Sequence, residues 1–465
     1  MVPIVTPDEM RAIDRAAPLS HDELVERAGT AVARAAVRML GGTYGRVVAV
    51  IEGAGSNGAD GRVAARRLRE SGVMVREFDA LTCPPSLVHA LPSPLDLVVD
   101  AAFGTGFRGT WQPPDTGAVP VLAVDLPSGV DALTGNVAGG GSALRATRTV
   151  TFAALKPGLL FGTGRVLSGD VEVVDADEMG LAAGVHSTAR AHLVERSDVA
   201  TWLPQRAVDA HKWRHAVRVV AGSSGMEGAA RLVCSAALRS GSGMVHLTSP
   251  DGVLRGLPVE VVQVPVGSSA GVPATVVESL SRFGALVIGP GLGRDDATVA
   301  TVHTLVAQSA VPVVVDGDGL FALAHGPNPV ARRADVLATP HDGEFTVLAG
   351  SPPGDDRLGA ARALATRLGV TVLLKGPVTV VAAPDGAALV VDEGDERLAT
   401  AGSGDVLAGI AGALLAQGLG PLVAGATAAW LHGRAGRWVS PHGMIASDLV
   451  GVLPAVWSDV TGEVR

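Results

Sequence analysis

Aromatic residues are scarce in this chain. Among its 465 residues, Phe, Trp and Tyr together account for 3%, and only one residue is tyrosine. Small residues take their place, with 60 glycines and a hydrophobic fraction of 47%. Small side chains suit helices that pack closely on parallel strands. The composition therefore predicts an α/β protein, and the length predicts two or three domains.

Cysteine and clustered positive charge are also scarce. The two cysteines, Cys83 and Cys234, lie far apart, which excludes a disulfide framework and a Cys-based metal site. The helical pattern around Cys234 predicts a buried thiol. The net charge is −9 and there is no basic tract, which argues against a nucleic-acid partner, because binding to a phosphate backbone needs clustered Lys and Arg. A small-molecule partner is expected.

No clear signal for export or membrane insertion is present. The first ten residues contain acids and read as a capped helix start, so a cytoplasmic protein is expected. Residues 406–431 carry no charge and are long enough to span a bilayer. The Gly-Pro break at 417–421 instead predicts two core helices, and no membrane partner.

The most informative segment, residues 400–409, reads Thr-Ala-Gly-Ser-Gly-Asp-Val-Leu-Ala-Gly and precedes a long apolar helical pattern. Gly402 and Gly404 let several backbone amides point the same way, and the first amides of the following helix have no partner within it. Such a loop can hold a phosphate or a developing oxyanion, with Asp405 beside it as a general base. An ordinary loop ending in a helix cap is the alternative.

The first half of the chain begins with a helical pattern over 7–39. A buried strand is predicted over 46–51, followed by a Gly-rich loop over 53–61 and a helix over 62–71. Two further apolar runs end at Asp100 and Asp125. Because α/β sheets bind ligands at the carboxyl ends of their strands, these carboxylates are expected to converge at one edge of the sheet.

Three oxygen-bearing residues, Asn57, Asp100 and Ser128, each follow a predicted strand. Hard cations prefer such oxygens, although Asx-turns and caps are an alternative use of the same residues. Lys156 follows another apolar strand, where it is a candidate for proton transfer or substrate anchoring. An exposed surface lysine is the alternative.

In the second half, Gly-rich or charged loops repeatedly follow predicted strands. The strands are predicted over 216–221, 285–289, 311–316, 336–339, 370–375 and 378–382, and the loops read GPGLG at 289–293, DGDG at 316–319, TPHDGE at 339–344 and LLKG at 373–376. One such loop is weak evidence of function, but several with the 400–409 segment predict a site. Periodicity weakens between about 180 and 212, which predicts domains over 1–185 and 211–465 joined by a linker over 186–210.

With these motifs in this order, the whole chain resembles the bifunctional NAD(P)H-hydrate repair enzymes of bacteria. The resemblance implies an N-terminal Rossmann-like epimerase domain with a parallel sheet, followed by a ribokinase-like α/β dehydratase domain. It implies interconversion of the 6R and 6S hydrates of NADH and NADPH, and dehydration of the S form at the expense of ADP, giving AMP and phosphate. It further implies a potassium ion in the epimerase domain, magnesium with ADP in the dehydratase domain, and a homo-oligomer.

The resemblance also carries over residue by residue. The potassium ligands would be Asn57, Asp100 and Ser128, and the catalytic residues Asp125, Lys156 and Asp405. The hydrate would contact, in the first domain, Ser56, Asn57, Gly58, Ala59, Asp60, Gly104, Thr105, Gly106, Phe107, Arg108, Gly109, Thr110 and Asp125. In the second domain it would contact Ala229, Ala230, Gly291, His341 and Asp405. The adenine nucleotide would contact Lys375, Gly376, Pro377, Val378, Thr379, Gly402, Ser403 and Gly404.

Two positions depart from the family pattern, which usually has Asn in place of Ser56 and Gly in place of Ala59. A Cβ at Ala59 is expected to interfere if the backbone there needs a positive φ or if a ligand approaches it closely. The alternative function is a ribokinase-like kinase of a small alcohol, fused to a non-catalytic nucleotide-binding module.

Overall fold

The computed structural model describes residues 1–90, 93–205, 207–266, 271–327 and 331–462. The chain divides into two compact units, an N-terminal unit over Val2–Ala191 and a C-terminal unit over His192–Arg465 that also takes in Met1. Strand β8, Ala191–Leu193, lies at the boundary, and the segment predicted as a linker also contains helix α8, Arg196–Trp202.

The N-terminal unit is built on a six-stranded parallel sheet. The six sheet strands are β2 Val47–Glu52, β3 Met74–Asp79, β4 Leu97–Ala101, β5 Val121–Val124, β6 Arg148–Phe152 and β7 Asp170–Val174, and the unit also contains the short strand β1 Val2–Ile4, which is not part of this sheet. Its helices are α1 Pro7–Arg15, α2 His21–Leu40, α3 Ser56–Glu70, α4 Leu87–Ala90, α5 Gly164–Leu167, α6 Ala176–Met179 and α7 Ala182–Thr188. The sheet order is β3-β2-β4-β5-β6-β7, with every pair parallel.

This strand order determines where the N-terminal site lies. The chain leaves β2 toward β3 on one side and returns to β4 on the other, so the loops after β2 and β4 diverge and leave a crevice at the carboxyl ends of the strands. The central strands are almost wholly apolar and buried on both faces, as a parallel sheet covered by helices requires.

The C-terminal unit repeats this principle on a larger sheet. Its further strands are β9 Val217–Val220, β10 Val245–Thr248, β11 Val261–Gln263, β12 Ala285–Ile288, β13 Val313–Val315, β14 Val336–Ala338, β15 Thr371–Leu374, β16 Thr379–Ala382 and β17 Ala388–Val391. Its further helices are α9 Glu227–Arg239, α10 Val272–Ser279, α11 Asp296–Gln308, α12 Asp318–Ala324, α13 Asp342–Ala349, α14 Arg357–Leu368, α15 Ser403–Ala416, α16 Pro421–Trp438 and α17 Ala446–Thr461.

The order in this sheet runs β17-β16-β15-β14-β13-β12-β9-β10-β11. Strands β9 to β15 pair in parallel with their neighbours, and β16 and β17 add an antiparallel edge. The order changes direction between β9 and β12, so the loops after these two strands diverge at a second crevice.

Helix α15 lies against this sheet and against α9 with almost no space between them. A Cβ added at Gly409 would overlap the carbonyl oxygen of Val233 on α9, and one added at Gly412 would overlap the side chain of Val287 on β12. Glycine is therefore required at both positions by close packing.

The architecture confirms the α/β prediction and corrects two of the predicted helices. Helix α3 begins at Ser56 and not at residue 62, so residues 56–61 of the predicted Gly-rich loop are helical. The helical pattern over 7–39 is two helices, because Thr6 and Ser20 each form a capping box that starts a new one. The uncharged stretch 406–431 is divided between α15 and α16, as predicted, and no helix in the described ranges is long and apolar enough to cross a membrane. Cys234 is fully buried, also as predicted.

Candidate functional sites

The Gly-rich loop after β2 leads into α3 with its first amides uncapped. The residue before the helix is Gly55, which offers no side-chain hydrogen bond to the helix amides. A Cβ at Gly58 would overlap the carbonyl oxygen of Gly53, so the first turn of α3 packs tightly against the loop that precedes it. Ala59 lies within the helix and is not among the non-glycine residues with positive φ, so its Cβ causes no backbone strain there.

The three predicted cation ligands lie at the ends of neighbouring elements. Asp100 is fully buried and accepts hydrogen bonds from the amides of Ser128 (2.8 Å) and Ala102 (3.4 Å). Burial raises the pKa of Asp100. The Ser128 hydroxyl accepts from the amide of Phe103 at 2.8 Å, and the buried Nδ2 of Asn57 has no hydrogen-bond partner. Within the described residues, no cationic side chain forms an ion pair with Asp100.

Asp125 and Lys156 are brought together by two strained turns. Asp125 has φ 67°, with the amide of Leu126 bonded back to the carbonyl of Val124 at 2.8 Å. Ala153 has φ 63° and forms the same turn after the adjacent strand β6. Both are γ-turns with positive φ, a rare conformation that costs about 1–3 kcal/mol.

These turns make an ion pair at the sheet edge. Lys156 Nζ lies 2.6 Å from Asp125 Oδ1, and it donates to Thr151 Oγ1 at 2.8 Å and to the carbonyl of Phe152 at 3.1 Å. Thr151 in turn donates to Asp125 at 2.9 Å. Lys156 is only 2% exposed, which excludes the surface-lysine alternative.

A cavity of about 720 Å³ lies over this pair. The predicted residues that line it are Ser56, Asn57, Asp60, Gly104, Thr105, Gly106, Phe107, Arg108, Asp125 and Lys156. Four other predicted contacts, Gly58, Ala59, Gly109 and Thr110, are not among the lining residues; the Thr110 hydroxyl instead bonds to the carbonyl of Gly139 at 3.0 Å.

Acidic residues crowd this cavity. Burial, reinforced by the charge of Asp125 and opposed by that of Lys156, raises the pKa of Asp60 to about 8. Burial also raises the pKa of Asp14, at the end of α1. Asp14 and His21 line the cavity but were not predicted, because they belong to an amphipathic helical pattern with no motif.

In the C-terminal unit, Asp405 lies in the first turn of α15, as predicted. Gly402 precedes the helix with φ 87° and provides no side-chain cap, and the amides of Gly404 and Asp405 have no hydrogen-bond acceptor among the described residues. Burial raises the pKa of Asp405 to about 7, with a further contribution from the charge of Asp316. An anion-binding helix start and a carboxylate that titrates near neutral pH therefore lie side by side.

Lys375 lies beside this helix start within a group of carboxylates. Its Nζ is 2.9 Å from Asp316 Oδ1 and 3.6 Å from Glu344 Oε2. Burial acts to lower the pKa of Lys375, but the two carboxylates outweigh it and the pKa is raised. A Cβ added at Gly404 would lie 3.3 Å from Nζ, so the lysine closely faces the glycine loop.

Asp316 and Glu344 were not among the predicted site residues. Asp316 directly follows the buried strand β13 and accepts a hydrogen bond from Thr339 at 2.7 Å. Glu344 is the third residue of α13, where its side chain also caps the amide of His341. Both sat within motifs noted in the sequence, and a carboxylate directly after a buried strand was the available signal for Asp316.

His341 lies at a smaller cavity of about 210 Å³, together with Arg294, Gly317, Phe321, Gly343, Glu344 and Val347. Its Nδ1 accepts from the amides of Gly343 (3.0 Å) and Glu344 (3.3 Å), which assigns the proton of the neutral ring to Nε2. At the crevice between β9 and β12, Gly291 packs against Ala229, whereas Ala230 is fully buried. Of the two predicted alanines, Ala229 is the one with exposed surface.

The remaining predicted nucleotide contacts fall near Lys375. Gly376 and Pro377 form the turn between β15 and β16, Val378 is buried, and Thr379 begins β16. Ser403 donates its hydroxyl to the carbonyl of Leu398 at 2.7 Å. Among the described residues, no three His, Cys, Asp or Glu side chains form a group that could hold a metal ion.

Both units match known families. Residues 217–452 match the family model described as NAD(P)H-hydrate dehydratase, and residues 21–87 and 78–158 match the model described as YjeF-related protein N-terminus. A bifunctional NAD(P)H-hydrate repair enzyme from Moorella thermoacetica is 35% identical, covering 99% of this chain and 98% of its own. This chain belongs to the bifunctional NAD(P)H-hydrate repair enzyme family. The family member from Mycobacterium tuberculosis (strain CDC 1551 / Oshkosh) is 39% identical, over 87% of this chain and 86% of its own.

Solved structures agree with this repair-enzyme assignment. The ADP/ATP-dependent NAD(P)H-hydrate dehydratase of Bacillus subtilis, crystallised with ATP and Mg²⁺, is 30% identical with a TM-score of 0.50, covering 57% of this chain and 97% of its own. A ribokinase-like protein of Enterococcus faecalis, 22% identical with a TM-score of 0.52, shows the same fold over 58% of this chain and 96% of its own. Similarity along both units favours the repair-enzyme interpretation over a small-alcohol kinase.

Proposed function

We propose that this protein repairs hydrated nicotinamide cofactors. The N-terminal unit interconverts the 6R and 6S hydrates of NADH and NADPH, and the C-terminal unit dehydrates the S form with ADP, giving AMP and phosphate. The observation that carries the proposal is the match of both units, in one chain, to a bifunctional repair enzyme along nearly its whole length. Acid–base groups in both crevices support it.

In the dehydratase unit, Asp405 is proposed to accept the proton of the C6 hydroxyl as that oxygen attacks the β-phosphate of ADP. Phosphoryl transfer turns a poor leaving group into a good one, and loss of phosphate with the C5 proton then restores the reduced ring. The unbonded amides of Gly404 and Asp405 are oriented to stabilise negative charge on the transferring group.

The nucleotide is proposed to bind along 375–379 and the 402–404 loop. Lys375 supports this, since a partly exposed ammonium group beside the glycine loop suits a polyphosphate. Magnesium would be held largely by the phosphates themselves and would neutralise charge on them. The B. subtilis dehydratase crystallised with ATP and Mg²⁺ supports this assignment.

In the epimerase unit, potassium is proposed to bind Asn57, Asp100 and Ser128. The fit rests on Asp100, a fully buried carboxylate whose two oxygens accept amides but have no cationic partner among the described residues. Buried charge needs compensation, and a monovalent cation with oxygen ligands provides it. The ion would fix the loops after β2 and β4 around the substrate. Asp125 and Lys156 are the proposed proton-handling pair, and assembly into a homo-oligomer also remains a prediction.

The test is recovery of reduced-nicotinamide absorbance from an epimeric mixture of NADH hydrate, measured faster than spontaneous epimerisation. Complete recovery with ADP is expected, together with a strong loss of dehydratase activity in an Asp405→Asn variant and slower recovery of the R form when Na⁺ replaces K⁺. Recovery that stops at the fraction of the S form would refute the epimerase assignment. Recovery without any nucleotide would refute the phosphoryl-transfer step.

A further inference from the structure

The cavity of the N-terminal unit contains a carboxyl group that the Asp125–Lys156 pair leaves unexplained. Asp60 lies in α3, is 8% exposed and lines the cavity. Its carboxyl group has no hydrogen-bond or ion-pair partner within the described ranges. The surrounding charges are Asp125 after β5, Lys156 after β6, Asp14 on α1 and Arg62 on α3 itself. A buried, unpartnered acid that faces a binding cavity requires a function or a cost in stability.

The two acids differ in their surroundings. Asp125 forms an ion pair with the Lys156 ammonium group at 2.6 Å and accepts a hydrogen bond from the Thr151 hydroxyl at 2.9 Å. Asp60 has no such partner, and burial raises its pKa to about 8, so it carries its proton at neutral pH. Two carboxyl groups whose environments favour opposite protonation states are arranged to act as an acid and a base.

We propose that Asp60 is a second catalytic residue of the epimerase, acting as the general acid while Asp125 acts as the general base. This inference rests on the proposed epimerase function. C6 of the hydrate carries both the hydroxyl group and the ring nitrogen N1. The reaction therefore needs a proton delivered to one oxygen and a proton removed from another.

The reaction starts from the epimer whose hydroxyl faces Asp60. The proton of Asp60 moves to the C6 hydroxyl, the C6–O bond breaks, and the N1 lone pair forms a C6=N1 iminium bond. Water then attacks C6 from the other face and loses its proton to the Asp125 carboxylate. A proton returns from Asp125 to Asp60 through cavity water, and the opposite epimer follows the same path in reverse.

The experiment compares the full-length Asp60→Asn variant with Glu70→Gln, an exposed carboxyl-to-amide change on the same helix. Epimerisation of the R hydrate is followed with ADP present, so that dehydration of the S hydrate by the same molecules serves as an internal control. We expect Asp60→Asn to lower kcat for the R hydrate by about 100-fold or more, with KM changed less than about threefold. Dehydration of the S hydrate should proceed at the wild-type rate.

The pH profile separates catalysis from structure. In the wild type, epimerisation should decline above about pH 8 as Asp60 loses its proton, and this decline should be absent from the residual activity of Asp60→Asn. Asp60→Glu, which keeps an ionisable group, should recover part of the lost kcat. The Asn variant loses no charge at neutral pH, so its urea midpoint should not fall.

Several results would overturn the assignment of Asp60. They are a kcat within about threefold of wild type, a loss confined to KM, an unchanged alkaline decline in the variant, or a clear fall in the urea midpoint. Failure of the wild type itself to convert the R hydrate would instead refute the proposed epimerase function, so the two failures are distinguishable.

Discussion

Replacing Lys156 with methionine should destabilise the N-terminal unit and abolish its epimerase activity. The substitution keeps most of the apolar stem but removes a charge that is 2% exposed. It deletes the ion pair to Asp125 at 2.6 Å and the hydrogen bonds to Thr151 and Phe152. Asp125 is then left in the same position without its counterion.

The expected cost follows from that uncompensated charge. Breaking a buried ion pair by removing one partner costs about 3–5 kcal/mol. The side chain of Asp125 is 14% exposed and lines the cavity, so water partly solvates it and the lower end, about 3 kcal/mol, is expected. Adding Asp125→Asn removes the stranded charge, so the double variant should be at least about 1 kcal/mol more stable than Lys156→Met alone.

The assay is a urea titration in which unfolding is monitored by hydrogen exchange in peptides from β5 and β6. These peptides report on the N-terminal unit separately from the rest of the chain. Dehydration of the S hydrate provides the control and should be unchanged. A Lys156→Met variant within about 0.5 kcal/mol of wild type would refute the assigned electrostatics. So would a double variant whose loss equals the sum of the two single losses.

Three further outcomes are expected. Asp405→Asn should lower dehydratase kcat by about 10²–10⁴-fold and leave epimerisation unchanged. In the wild type, dehydratase kcat should fall as the pH drops through about 7, because Asp405 becomes protonated and can no longer act as a base. A dehydratase kcat that does not change between pH 5 and 8 would contradict this. Gly58→Ala should destabilise the N-terminal unit by about 1–3 kcal/mol or more and impair epimerisation. The control is Gly55→Ala, whose added Cβ would have no atom within 4 Å and should be tolerated. Equal urea midpoints for the two variants would show that Gly58 is not tightly packed. The pKa of Asp60 is raised from 3.8 to about 8, so between these pH values the folded unit binds a proton that the unfolded chain has lost. The free energy of unfolding should therefore fall as the pH rises through this range, and it should fall less steeply in Asp60→Asn. Urea titrations at several pH values across the range measure both slopes.

The sequence predicted the fold best where a residue pattern is compatible with only one kind of structure. Runs such as Val-Val-Ala-Val-Ile at 47–51 have few stable arrangements other than a buried strand, and a carboxylate directly after such a run must lie at the carboxyl edge of the sheet. The order of motifs also indicated both units and their family. Strands β10, β11 and β17 were not predicted, and their length alone does not explain this, because the equally short strands β13 and β14 were predicted.

Other parts of the site could not be predicted from local pattern. Asp125 and Ala153 adopt a positive φ, which in a sequence is usually indicated by a glycine. Because neither residue is a glycine, the turns that bring Lys156 to Asp125 could not be predicted from the sequence. Cavity walls formed by helix faces, such as the one carrying Asp14, depend on tertiary packing. The grouping of Lys375 with Asp316 likewise joins residues far apart in the chain.

The close packing of α15 has an evolutionary consequence. The helix that carries Asp405 has no slack, because any side chain at Gly409 or Gly412 would push it away from α9 or β12 and displace the carboxylate with it. These two glycines are buried between the helix and its neighbours, and substitution there should be selected against because it would displace Asp405. Among active relatives, Gly409 and Gly412 should therefore remain glycine, although neither is proposed to contact the substrate.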